Sequence, residues 1–250
     1  MSNFRTVIVR VMAAALVAIL MWSGRAEAQL GRESVLRSAE ARLEGRLDPA
    51  AQRAVVAIID SSIAAGLPLE LGGRLVSRAL QSSVHAIETE RMLAEVRELA
   101  DRLVSARRVL APATFDEVDA AAEALDVGIS AGTLRSLRAA RPRGTLAVPL
   151  VVLVDLVVRG VPADTAAYLI LAIAEKQATD MQYEALRLQV ASDIGRGTLP
   201  VVAAATRTRG VLGAAASAAA AATLGADAIG TQDGGTTRST RPPGGPPPPP

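Results

Sequence analysis

The chain has no cysteine and one histidine among its 250 residues. The first absence excludes disulfides, a thiol nucleophile, thiolate metal sites and a lipidated cysteine anchor. A zinc site needs three or four converging ligands, so with His85 as the lone imidazole it would have to be built from carboxylates. Aromatic residues make up 2% of the chain. Beyond residue 28 only Phe115, Tyr168 and Tyr183 remain. That scarcity argues against a sugar platform, a base-stacking surface and a deep ligand pocket. Lysine is almost missing too: Lys176 is the only one, and arginine supplies the other positive charges, as a GC-rich genome would.

What is present is apolar and small. Half of the residues are hydrophobic, mostly alanine, leucine and valine. Such side chains suit closely packed helices better than a sheet, which wants β-branched and aromatic pairs.

Residues 1–28 have the three parts of a secretory signal peptide. Arg5 and Arg10 give a positive start, Val11–Trp22 is an apolar run, and Ala26-Glu27-Ala28 is a small-x-small cleavage site. The apolar run is shorter than the roughly 20 residues that span a bilayer. Cleavage before Gln29 is expected, with a periplasmic or extracellular destination. It removes Arg5, Arg10, Arg25 and Glu27, which leaves 24 basic and 24 acidic residues. A neutral mature chain gives no general argument for nucleic acid as a partner.

Residues 29–195 read as a helical domain. Gln29–Leu47 is amphipathic. Asp48-Pro49 is an N-cap followed by proline at N1, opening a helix over Pro49–Ala65. Gly66-Leu67-Pro68 closes it and opens the next, which Gly72-Gly73 should weaken. Ser83–Leu110 is predicted as the longest helix, ended by Pro112. Thr114 and Glu117 form a capping box for the helix that stops at Gly128, and Ser130 caps its successor. Leu146–Val158 is almost wholly apolar and rich in valine. A buried strand is its local rival, but no second strand exists to pair with it, so a core helix is expected. Gly160-Val161-Pro162 turns into a helix over Pro162–Lys176, and Thr179 with Gln182 forms a second capping box. Gly197-Thr198-Leu199-Pro200 is a degenerate copy of the glycine–apolar–proline turn.

From residue 196 to 224 the chain is alanine-rich and reads as a loosely packed helical segment. From 225 to 250 glycine, threonine, serine and proline dominate, as in a disordered or polyproline tail. The fold class is therefore all-α: an irregular bundle or degenerate repeat of short helical hairpins. Gly66, Pro68, Gly128, Ser130, Gly160 and Pro162 are its structural turns, because glycine supplies the left-handed C′ position and proline or serine the helix start. Gly128 to Gly160 is 32 residues and Gly66 to Gly128 is 62, nearly twice that, but the long helix occupies the place of an intermediate copy.

Two local patterns imitate functional signatures. Gly128-Ile129-Ser130-Ala131-Gly132 matches the G-x-S-x-G nucleophile elbow. The elbow requires a preceding strand and a histidine later in the chain; here a helix precedes and His85 lies upstream. The same stretch, with Ala124, Thr133, Leu134 and Arg135, resembles the core of bacterial helix-turn-helix domains, including those of the MerR type. That resemblance implies a recognition helix from Ser130 and phosphate contacts from Arg135, Arg138, Arg141 and Arg143. An exported protein does not meet the chromosome, so these four arginines are candidates for an anionic envelope polymer or lipid headgroup instead. Asp116, Glu117, Asp119, Glu123 and Asp126 lie along one helix and read as a solvated acidic face. The glycine–apolar–proline hairpins also resemble uncharacterised exported helical proteins of GC-rich bacteria, a likeness that implies no activity.

The composition gives no cofactor and no catalytic constellation. The expected function is a noncatalytic interaction or structural module of the cell envelope, with an envelope protein or anionic surface polymer as partner. A hydrolase built on a spatially assembled carboxylate pair is the alternative, and a helix-turn-helix-like nucleic-acid binder around Gly128 stands behind it.

Overall fold

A helix can end in a left-handed residue whose N–H groups recapture the last carbonyls, with an apolar residue folding back beneath them. Among the described residues the backbone part of this pattern occurs six times, at left-handed Gly66, Ala86, Gly128, Gly160, Gln177 and Gly197. After each, the next N–H reaches back to a carbonyl five residues earlier: Leu67 to Ser62, Ile87 to Ser82, Ile129 to Ala124, Val161 to Leu156, Ala178 to Ile173 and Thr198 to Asp193. Leu67, Ile129, Val161 and Ala178 are buried. The turns predicted at Gly66, Gly128 and Gly160 are all present, and Pro68 and Pro162 stand at N-cap positions.

The computed structural model describes residues 29–229. Within them it is all-helical and has no strand. α1 spans 29–43. It is followed by α2 (Pro49–Ala64), a 3-10 turn (Leu69–Leu71), α3 (Gly72–Val84), α4 (Thr89–Leu110) and α5 (Phe115–Asp126). Then come α6 (Ala131–Ala140), α7 (Ala147–Val158), α8 (Ala163–Glu175), α9 (Asp180–Gly195) and α10 (Pro200–Ile229). The signal peptide expected over 1–28 and residues 230–250 of the expected tail lie outside the described residues. α10 itself runs past Gly225, where the sequence places the start of that tail.

The helices alternate between two layers. In one, α2 packs on α4, α4 on α6, α6 on α8 and α8 on α10. In the other, α5 packs on α7 and α7 on α9. α3 joins this second layer through Arg74, which pairs with Asp119 and Glu123 of α5 at 2.7 Å each. α1 joins it through Gly72, where a methyl group would sit 2.9 Å from Val35 Cγ1. Stacked helical hairpins of this kind bury a shared core between layers, each unit touching only its neighbours. Leucine and alanine dominate that core, with Leu43, Leu75, Leu103, Leu134, Leu150, Leu153 and Leu186 fully buried.

Several sequence expectations change. Ser83–Leu110 is not one helix: α3 ends at Val84 and the chain turns through Ala86 (φ 52°) before α4. The sequence hides this turn because alanine stands where glycine stands elsewhere, at a local cost of roughly 1–2 kcal/mol. α1 ends at residue 43, with Gly45 left-handed, instead of running to Leu47. Gly72-Gly73 does not weaken a helix interior; it opens α3, and its lack of side chain lets α1 approach. The 62-residue interval compared unlike turns, because Gly66 joins two hairpins whereas Gly128 and Gly160 lie inside them. The true intermediate copy is Ala86. From α5 onward the repeat is regular: the N-caps Thr114, Leu146 and Thr179 are 32 and 33 residues apart. The alanine-rich segment is not loose at its start either. Ala203, Ala204 and Thr208 of α10 are buried against the preceding hairpin.

Candidate binding groove and the acids of α5

α5 forms because Thr114 caps it and alanine fills it. The Thr114 hydroxyl accepts from Glu117 N at 3.3 Å, and the Glu117 carboxylate accepts from Thr114 N at 2.9 Å. Helical spacing then sends its acids two ways. Glu117 turns inward and is 3% exposed. Its Oε1 accepts from Arg138 Nη2 and from Leu146 N, both at 2.7 Å. Burial alone would raise the Glu117 pKa; the bonds from Thr114 N, Leu146 N and Arg138 outweigh it and hold the carboxyl below its ordinary value. One side chain thus fixes the start of α5, the end of α6 and the start of α7.

The other acids turn outward but are not simply solvated, which corrects the sequence reading. Arg74 lies against Asp119 and Glu123, and Arg102 pairs with Asp126 at 3.1 Å. Asp116 has no ion-pair partner among the described residues. Burial raises the Asp119 pKa; Arg74 opposes the shift, and the charges of Glu123 and Asp116 add to it.

Beside this acidic strip α7 exposes Val151 and Val158, the latter 71% exposed, with Val148 half-buried on the same face. Asp155 on the same side is tied to Arg159 at 2.6 Å. α9 continues the face with Met181, Glu184 and Leu188, and Arg187 covers Glu184 at 3.0 Å. Between the three helices lies an open groove of about 270 Å³. Ala120, Ala147, Val148 and Val151 form its floor, and Asp116, Asp119, Glu123 and Glu184 its rim. A second cavity, about 350 Å³ between α3, α4 and α5, is polar and lined by Arg74, Arg78, Arg102, Glu98, Glu123 and Asp126. A third, of about 290 Å³, lies between α1 and α3 around Gly72. In the other layer the exposed positions of α4 and α6 include Arg97 and Asp101, and Gly132, Ser136 and Ala139, while α8 exposes Tyr168 and α10 Val201 and Val202.

The four arginines proposed from sequence do not form one patch. Arg138 bonds Glu117 and the Gly144 carbonyl (3.0 Å). Arg141 is 9% exposed, its guanidinium 5.4 Å from the Tyr183 ring centroid and 3.1 Å from Asp180 Oδ1. Burial pushes the Tyr183 phenol up. Arg135 and Arg143 remain exposed. Sequence reasoning missed these internal partners because they lie 21 and 39 residues away. Asp193 is held down to about 2 by Arg207, 14 residues on, and by Arg196, its neighbour three residues on.

The decoy motifs resolve into turn chemistry. Ser130 Oγ accepts from Thr133 N at 3.0 Å as an N-cap, and His85 sits exposed at the end of α3, bonded to the Gln81 carbonyl. α6, which would be the recognition helix, is flanked in its layer by α4 and α8. Among the described residues no three acids or histidines converge as a metal site needs, and no helix is long and apolar enough to cross a membrane. No family model matches the chain, and neither a curated protein nor a solved structure matches it.

Proposed function

We propose that this is an exported, noncatalytic helical scaffold that works in the cell envelope by binding a partner on the outer face of α5, α7 and α9. One observation carries the reading: Val151 and Val158 of α7 stand exposed, on the same face as half-buried Val148 and the Asp155–Arg159 pair, beside the acids of α5 on rigid, stacked helices. Exposed apolar patches with a polar rim mark interaction sites, and stacked hairpins offer extended surfaces for them. The groove is smaller than the roughly 300–1,000 Å³ of most small-molecule pockets. Of the charged groups nearby, Asp119 and Glu123 share Arg74 and Glu184 is held by Arg187, while Asp116 has no ion-pair partner among the described residues.

The export half of the reading rests on the signal-peptide pattern of residues 1–28. Arg135 and Arg143, the exposed members of the arginine set, are a minor contact for an anionic polymer in this reading. A carboxylate hydrolase is the second reading, favoured by the raised pKa of Asp119, which a general acid needs. Arg74 at 2.7 Å counts against it.

Site-specific photo-crosslinking tests the proposal. A photoreactive residue at Val151 or Leu188 is expected to give a discrete adduct in the envelope fraction, and one at Ala139 on the other layer none. Equal adducts from all three positions, or recovery of the chain only in the cytoplasm, would overturn it.

A further inference from the structure

The groove combines three features that select a guest. Its floor is small and apolar, so an extended aliphatic stem fits against Ala120 and Ala147. Its rim holds four carboxylates, Asp116, Asp119, Glu123 and Glu184, against which only Arg74 and Arg187 are set, leaving a negative surplus. Its long side is the outer stripe of α7, about 15 Å from Val148 to Val158 at helical rise, with Leu188 and Met181 exposed beyond it. Arginine and lysine bury their methylene stems on apolar surface while the charged head stays with acids. An amphipathic helix laid in a groove places its apolar positions at helical spacing along such a stripe.

We infer that the face is a docking site for a basic amphipathic helix of another protein, which inserts an arginine or lysine between α5 and α7 and lays its apolar side on Val151 and Val158. This rests on the interaction reading above and names the chemistry of its partner. A second copy of this chain is the rival guest: around α6 its Arg135 and Arg143 have only Gly132, Ser136 and Ala139 beside them, but α10 exposes Val201, Val202 and Arg209, so self-association is an outcome of the test.

The test is fluorescence anisotropy with the full chain and three labelled helical peptides. One has leucine along one side and arginine beside it, one replaces each arginine by glutamate, and one replaces each leucine by serine. Saturable binding of the first alone is expected. Asp116→Arg should weaken it about tenfold, as reversal of a facing charge does, and Val151→Asn should also weaken it. Asp101→Arg, the same charge change on the outer face of α4, should leave it unchanged. Circular dichroism and thermal melting of each variant separate lost affinity from lost folding. Equal binding of the glutamate peptide, or equal weakening by Asp101→Arg and Asp116→Arg, overturns the inference. So does self-association of the chain that Val151→Asn abolishes. Failure of all three peptides overturns it as well, while discrete crosslinks at Val151 would keep the broader interaction reading standing.

Discussion

The two sides of α5 put the same chemistry to opposite uses. Glu117 and Asp119 are two residues apart, each with an arginine at 2.7 Å. On the inner side every lone-pair direction of Glu117 that matters is met, by two backbone amides and Arg138, and its pKa falls. On the outer side partial burial raises the Asp119 pKa, the charges of Glu123 and Asp116 add to the rise, and the one guanidinium it shares with Glu123 does not offset them. The lesson is that an ion pair alone does not say what a carboxylate is for. A buried acid that collects fixed donors is held ionised and locks elements together, whereas a half-buried one with a shared guanidinium and like charges beside it is not.

The largest expected effect comes from breaking the inner side. Glu117→Ala leaves the Arg138 guanidinium without its counter-ion and the buried Leu146 amide without its acceptor, and urea unfolding should show a loss of about 3–5 kcal/mol. On the outer side Glu123→Ala removes a half-exposed pair, and the same measurement should show no more than about 1 kcal/mol. Similar losses from the two variants would break the contrast.

The smallest effect is in the pH dependence, where the two acids should pull in opposite directions. Glu117 has a folded pKa below its usual value near 4.5, so its contribution is full above that value and lost as pH falls through the folded pKa. Asp119 has a folded pKa above its usual 3.8, so it favours the folded state below 3.8, a contribution lost as pH rises through the folded pKa. Urea midpoints measured from neutral pH down to about pH 3 should therefore decline less steeply for Glu117→Gln than for the parent chain, and more steeply for Asp119→Asn. Slopes that shift the same way would show that the two carboxylates are not distinct.

Much of the fold was legible because helix starts and stops are local chemistry. Asp48, Thr114, Ser130 and Thr179 each cap a helix through an atom within three residues of sequence. The missed turn at Ala86 shows the limit: its backbone bonds match those at Gly66 and Gly128, but alanine does not announce them. The groove was not legible at all. Its rim and floor come from α5, α7 and α9, and the sequence reading took the acids for a solvated face and the valines for core.

By itself, then, the sequence determined where this chain turns, that its elements are helices, and that cysteine or metal-thiolate chemistry is closed to it. Those are properties of single residues and of spacings no longer than a helical turn or two. Only the tertiary structure decided that the hairpins stack in two layers. It also decided that Arg138 and Arg141 serve the interior, and that the outer valines of α7 meet the acids of α5. The reason is physical: burial and charge pairing depend on which helix faces which, and packing between helices far apart in the chain sets that.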